Sequence, residues 1–177
     1  MGLGRIGVSI WWQGLSGMSV TRLKSQIRTM NRFEDPPNFL ILHIAGNDIG
    51  LLNIGQLRAY VKEIISWMGK IMPNVTIIWS QILPRLHWRY SQNQVAMSKC
   101  RYRVNNAIAS IVLRGGGCYI RHPDIKANGT FLSQDGVHLT PLATELFLNN
   151  TRGTIELFVT YVPFLCNINF KSVLGTY

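Results

Sequence analysis

The chain has 177 residues, 47% of them apolar and only 15% charged, with 18 Lys and Arg against 8 Asp and Glu for a net charge of +10. An ordinary soluble domain carries about 25% charged residues, so this one is rich in core material, and that excludes an intrinsically disordered chain. The length fits about one domain. Sixteen scattered glycines exclude a collagen-like repeat, and three cysteines at 100, 118 and 166 form neither a disulfide framework nor a zinc ribbon.

Residues 5–12 place Ile6, Val8, Ile10 and Trp12 at period two, which predicts a strand. A glycine-bearing loop at 13–18 follows. Ser19 is a candidate N-cap for a helix with Val20, Leu23, Ile27 and Met30 on one face, ended by Pro36-Pro37. Residues 39–44 are continuously apolar apart from His43 and predict a strand buried on both faces, as parallel sheets require. Leu57, Val61, Ile64, Met68 and Ile71 form the face of a second helix, and Val75–Trp79 a second buried strand. Met97, Cys100, Val104, Ala107, Ile108 and Ile111 mark a third helix with an exit at Gly115–Gly117, and Cys118–Ile120 a short strand. Thr140-Pro141 opens a last helix to about Asn149. Beyond Tyr161 the pattern has no clean period, so 1–160 reads as the domain and 161–177 as an irregular tail.

Strand and helix alternate, which predicts a three-layer α/β/α sandwich on a flavodoxin-like parallel sheet. Ligands in such folds bind at the carboxyl ends of the strands, so the loops at 13–18, 45–50, 80–90 and 121–138 are the places to look. No run approaches the roughly 18 apolar residues of a membrane-spanning helix. The N-terminus lacks the pattern of a signal peptide, which favours an intracellular protein and makes the triplets at Asn74, Asn128 and Asn149 chance matches to the glycosylation signal.

Gly2, Gly4 and Gly7 spell G-x-G-x-x-G, but no strand precedes them and a strand-like run follows, so no dinucleotide site is expected. Gly46-Asn47-Asp48 directly follows a buried strand. These residues form turns, yet at this place an Asn amide projects over the sheet edge and can hold a developing oxyanion. Asp135 and His138 lie three apart in the loop before the last helix. That spacing lets the carboxylate hold one imidazole nitrogen and aim the other outward, as an orienting acid and a base do. A metal pair would need a third convergent ligand, and none is evident; no metal or cofactor is expected.

Together these motifs resemble the SGNH hydrolases, the GDSL-like serine esterases and lipases, from about residue 5 to 150. Copies in transposon-related vertebrate gene models are similar, with a stretch like Ile82-Leu-Pro-Arg85 after a strand. The resemblance implies a Ser-His-Asp mechanism on a small ester. His138 would be the base and Asp135 its orienter. Gly17 (less well Gly14) and Asn47 would donate to the oxyanion, with Gly46 and Asp48 supporting. The family's usual glycine is Ala45 here. Its nucleophile lies in a Gly-Asp-Ser motif ending a first, central strand, and no Asp precedes Asp35. Ser9 and Ser16 do not fit that place. The resemblance thus implies an N-terminally truncated, catalytically incomplete copy whose sheet lacks an interior strand between residues 5–12 and 39–44. Ladder groups left unpaired would cost roughly 1–3 kcal/mol each, so poor folding is expected.

A rival reading comes from charge. Between Ile64 and Pro123 there are eight basic residues and no acidic one. Arg85, Arg89, Lys99, Arg101 and Arg103, interleaved with Trp88, Tyr90 and Tyr102, suggest a non-catalytic remnant that binds single-stranded nucleic acid. A basic rim would equally attract an anionic substrate. His43 reads as a core histidine, His122 has no assigned role, and the cysteines have no activating partner.

Overall fold

The computed structural model describes residues 8–33, 35–161 and 168–176. In chain order the elements are β1 (Val8–Ser16), α1 (Val20–Phe33), β2 (Phe39–His43), α2 (Ile54–Ile71), β3 (Thr76–Ser80), α3 (Gln94–Arg114), β4 (Cys118–Ile120), α4 (Pro141–Tyr161) and β5 (Ile168–Thr176). The strands form one parallel sheet in the order β1-β5-β2-β3-β4.

The continuous apolar runs in β2 and β3 are explained by burial on both faces. Leu40, Leu42, Ile77 and Trp79 join a large core with Leu23 and Ile27 of α1, Leu57, Val61 and Ile64 of α2 and Val104 and Ile108 of α3. Phe39, Ile41, Ile78 and Ile120 point the other way and meet Ile155 of α4. The period-two alternation of a strand thus divides one apolar run between two cores, and the helices cover both faces as expected.

Several boundaries move. The N-terminal strand runs through Ser16, so most of the expected 13–18 loop is strand and Ser16 ends β1 rather than lying in a loop. Helix α4 continues twelve residues past the predicted Asn149 exit, to Tyr161. The cap of α1 also differs. Ser19 Oγ pairs with Thr21 Oγ1 at 2.8 Å, and the Val20 N–H goes instead to Asp48 Oδ2 at 3.1 Å.

The largest correction concerns the end of the chain. Residues 168–176 are not an irregular tail but an interior strand. β5 pairs with β1 from Val8↔Ile168 to Ser16↔Thr176, and with β2 from Phe39↔Phe170 to His43↔Leu174. It occupies the place between those two strands that the resemblance had left vacant. The ladder groups of β1 and β2 are therefore paired, and the expected folding penalty is not incurred. Residues 162–167 of the tail, the G-x-G-x-x-G segment at 2–7 and Cys166 lie outside the described residues.

Candidate active site

The carboxyl ends of β1 and β2 bring two loops together. Gly17 follows β1 at φ +63, the left-handed turn that glycine adopts without a side-chain clash. Asn47 Nδ2 donates to the carbonyl of the next residue, Met18, at 3.2 Å. Asn47 Oδ1 accepts from Arg85 Nη2 at 3.1 Å. With both ends engaged, the amide has one orientation, and its second N–H is the donor left for a ligand. Asp48 ties the same loop to α1 through Val20. Burial pushes the Asp48 carboxyl up to about 6, opposed by the Val20 hydrogen bond, and its Oδ1 has no hydrogen-bond partner among the described residues. Ala45 is fully buried at φ +79, a region costly for any residue with a Cβ. Ala45 thus holds this turn under backbone strain.

The opposite wall is the 133–138 loop. Asp135 Oδ1 accepts the N–H groups of Val137 and His138, each at 3.0 Å, and Asp135 Oδ2 bonds His138 Nδ1. The imidazole hydrogen bond, aided by those two N–H groups, holds the exposed Asp135 carboxyl down at about 2. His138 remains 53% exposed along its side chain. Gly136, at φ +68, carries the crossing of this loop over the next: a Cβ there would lie 2.4 Å from His87 Cδ2. Its carbonyl accepts the Leu86 N–H at 2.8 Å.

The third wall is the segment after β3. Its start is clasped by α3: Asn105 Oδ1 and Nδ2 bond the N–H and C=O of Ile82, both at 3.0 Å, and Arg101 Nη1 donates to the same carbonyl at 3.0 Å. The Trp88 backbone N–H donates to Gln94 Oε1 at 2.7 Å. The Arg85 guanidinium lies 5.1 Å from the Trp88 ring centre. These three walls enclose a cavity of about 190 Å³ lined by Gly46, Asn47, Arg85, Arg89, Asp135 and His138, among others. The predicted base, orienter and amide therefore converge on one cavity. Gly17 is not among its lining residues, but stands one residue from the Met18 carbonyl that holds Asn47. No Ser, Thr or Cys is among the described lining residues. No group of three or more His, Cys, Asp or Glu suited to a metal occurs among the described residues.

Sequence reasoning missed the roles of Arg85 and Asn105. Nothing in a linear pattern shows a guanidinium reaching a loop 38 residues away, or an amide clasping a backbone 23 residues away. The places of Arg85 and Arg101 also weaken the nucleic-acid reading. Of its five cations, Arg85 and Arg101 are buried and committed to Asn47 and Ile82, and Trp88 is buried too. Lys99 and Arg103 stay exposed on α3 and Arg89 on the cavity rim, so the five do not make one exposed surface. No described helix is long and apolar enough to cross a membrane.

His43 and His122 are also better placed than expected. His43 Nδ1 bonds Ser80 Oγ at 3.0 Å, and Ser80 Oγ bonds His122 Nε2 at 2.8 Å. Asn150 Nδ2 donates to His122 Nδ1 at 3.4 Å, and Phe147 of α4 stacks on His122. All three residues of this chain are buried under α4.

Neither a protein-family model nor a curated protein sequence matches the chain. Solved structures do. A family 3 carbohydrate esterase of Clostridium thermocellum superposes with a TM-score of 0.64 at 23% identity, covering 84% of this chain and 71% of the esterase. A GDSL-like lipase from Bacteroides thetaiotaomicron gives 0.67 at 12% identity, covering 88% and 90%. A family 3 carbohydrate esterase from Talaromyces cellulolyticus gives 0.63 at 15% identity, covering 82% and 70%. At these identities the likeness establishes architecture: this chain has the fold of the GDSL-like lipases and carbohydrate esterases, the SGNH hydrolase fold that its motifs resemble.

Proposed function

We propose that the cavity is an ester-hydrolase site in which this chain supplies the base and the oxyanion donors but not the nucleophile. The observation that carries the proposal is the convergence of the Asp135–His138 pair and Asn47 on one cavity at the carboxyl edge of the sheet. Asp135 holds Nδ1 of His138, and Nε2 would take a proton from an attacking hydroxyl or amine. The new bond forms to the ester carbonyl carbon. Negative charge gathers on the carbonyl oxygen, where the Asn47 amide and the Gly17 N–H would stabilise it. The ester C–O bond then breaks, and His138 returns the proton to the departing alkoxide. A cavity of about 190 Å³ suits a short acyl group better than a lipid chain.

Because the described lining holds no Ser, Thr or Cys, the nucleophile is inferred to come from elsewhere, and hydrolysis by this chain alone should be close to background. Hydroxylamine supplies an external nucleophile. With 4-nitrophenyl acetate, the chain should accelerate hydroxylamine-dependent cleavage, and His138→Ala should remove the acceleration. No acceleration would overturn the reading. Turnover in water without hydroxylamine, lost in His138→Ala, would keep the hydrolase and overturn its incompleteness.

A further inference from the structure

The cavity wall contributed by the segment after β3 is cationic. Arg85 and Arg89 both line it, whereas the lining's single carboxylate is Asp135. That carboxylate is already engaged by His138 Nδ1 and by two backbone N–H groups. Two guanidinium charges thus stand against one carboxylate whose acceptor sites are largely used. The segment supplies no compensating acid from its own neighbourhood, because residues 64–123 contain none.

The two arginines differ in freedom. Arg85 is buried, its Nη2 donates to Asn47 Oδ1 at 3.1 Å, and its guanidinium lies against Trp88. It contributes field and holds the amide. Arg89 is exposed on the rim, next to Trp88 and Tyr90 in the same lining, and its long side chain can reach a bound molecule. A guanidinium offers a planar fork that carboxylate, phosphate and sulfate all match. The cavity itself is small, so an acyl or alcohol part that fills it would leave any charged end at the rim.

We propose that the site takes small esters carrying an anionic group, and that Arg89 reads that charge. This inference rests on the hydrolase reading for the word ester, and Arg89 has no part in the proton transfer or in oxyanion stabilisation. Charge attraction at an exposed rim is screened over about 8 Å at physiological salt, so the preference should fade as salt rises.

The test is binding by the intact chain, which needs no turnover. Monomethyl succinate and dimethyl succinate carry the same ester and differ in one negative charge. Titration followed by tryptophan fluorescence should show the monoester binding about tenfold more tightly at low salt, a difference of about 1.4 kcal/mol. Arg89→Gln should remove most of that preference and leave the weak diester affinity unchanged. Inorganic phosphate should compete only weakly. Equal affinities for the two esters, a preference untouched by Arg89→Gln, or no saturable response to either would overturn the inference. So would phosphate binding as tightly as the monoester, which would mark a general anion site. If hydroxylamine-dependent cleavage depends on His138 while the charge preference is absent, only this inference falls; the hydrolase reading stands.

Discussion

The molecule holds two histidine clusters, on opposite sides of the requirement for access. One is Asp135–His138, in a loop, more than half exposed at the imidazole and paired with a carboxylate. The other is His43–Ser80–His122, in which a serine hydroxyl bridges two imidazoles under α4. By hydrogen bonding alone, the second is the better imitation of a serine hydrolase, since it contains a Ser–His contact. It lacks what chemistry needs. Ser80 is 0% exposed, and its hydroxyl is held between the two imidazoles, with the Asn150 amide on the far side of His122. Burial is the main reason His43 is held down at about 3, aided by His122 and Arg85, and the reason His122 sits at about 4. Both stay neutral, so one hydroxyl can donate to one ring while accepting from the other. The buried cluster fastens β2, β3, the loop after β4 and α4. The exposed one is open to solvent. Access, not a Ser–His distance, separates a candidate site from a fastener.

The sharpest break between the two would come from removing one group in each. Ser80→Ala strands two buried ring nitrogens at once, at roughly 1–3 kcal/mol apiece, so a loss of about 3 kcal/mol in denaturant unfolding is expected. His138→Ala, on the surface, should shift stability by no more than about 0.5 kcal/mol. A Ser80→Ala protein as stable as His138→Ala would show that the bridge is not a fastener.

The next effect is pH dependence. The unfolded histidines titrate near 6.5, whereas folded His43 and His122 do so near 3 and 4. Below pH 6.5 the unfolded state therefore binds the extra protons, and stability should fall as pH drops toward 4, by at most ~3 kcal/mol for each histidine. Asp48 works in the other direction. Its folded value is raised to about 6 from 3.8, so its neutral form favours the fold, and that contribution is lost as pH rises through 6. Asp48→Asn should accordingly steepen the acid loss measured by urea unfolding between pH 6 and 4. An unchanged slope would contradict the burial of that carboxylate.

The smallest effect tests the amide wall of the exposed site. Ala45→Gly removes a Cβ from a left-handed backbone position but also gives up a buried methyl. Left-handed backbone costs about 1–2 kcal/mol and a buried methyl contributes about 0.8 kcal/mol, so thermal unfolding should show a net gain of up to about 1 kcal/mol. A clear loss would show that the methyl outweighs the strain.

Much of the site was readable before the fold was known. Asp135 and His138 are local in sequence, and a spacing of three in a loop is enough to predict their contact. Asn47 follows a continuous apolar strand, which places it at a sheet edge. What failed depends on partners distant in sequence. Arg85 and Arg101 look like two cations of a basic patch until Asn47 and Ile82 are brought to them. His43 and His122 look unrelated until β2, β3 and the loop after β4 lie side by side.

Local pattern thus determined the alternation of strands and helices, the two-sided burial of β2 and β3, the Asp135–His138 contact and the sheet-edge place of Asn47. These follow from periodicity and short-range geometry, which any stretch of chain carries by itself. The tertiary structure alone decided where the last strand goes. Residues 168–176 have no clean period and nothing in their neighbourhood to pair with, yet they lie between β1 and β2 and complete both ladders. Backbone hydrogen bonding is indifferent to sequence order and nearly indifferent to side chain, so an open place in a sheet can be filled from the far end of the chain. Only the assembled strands on either side show that the place exists.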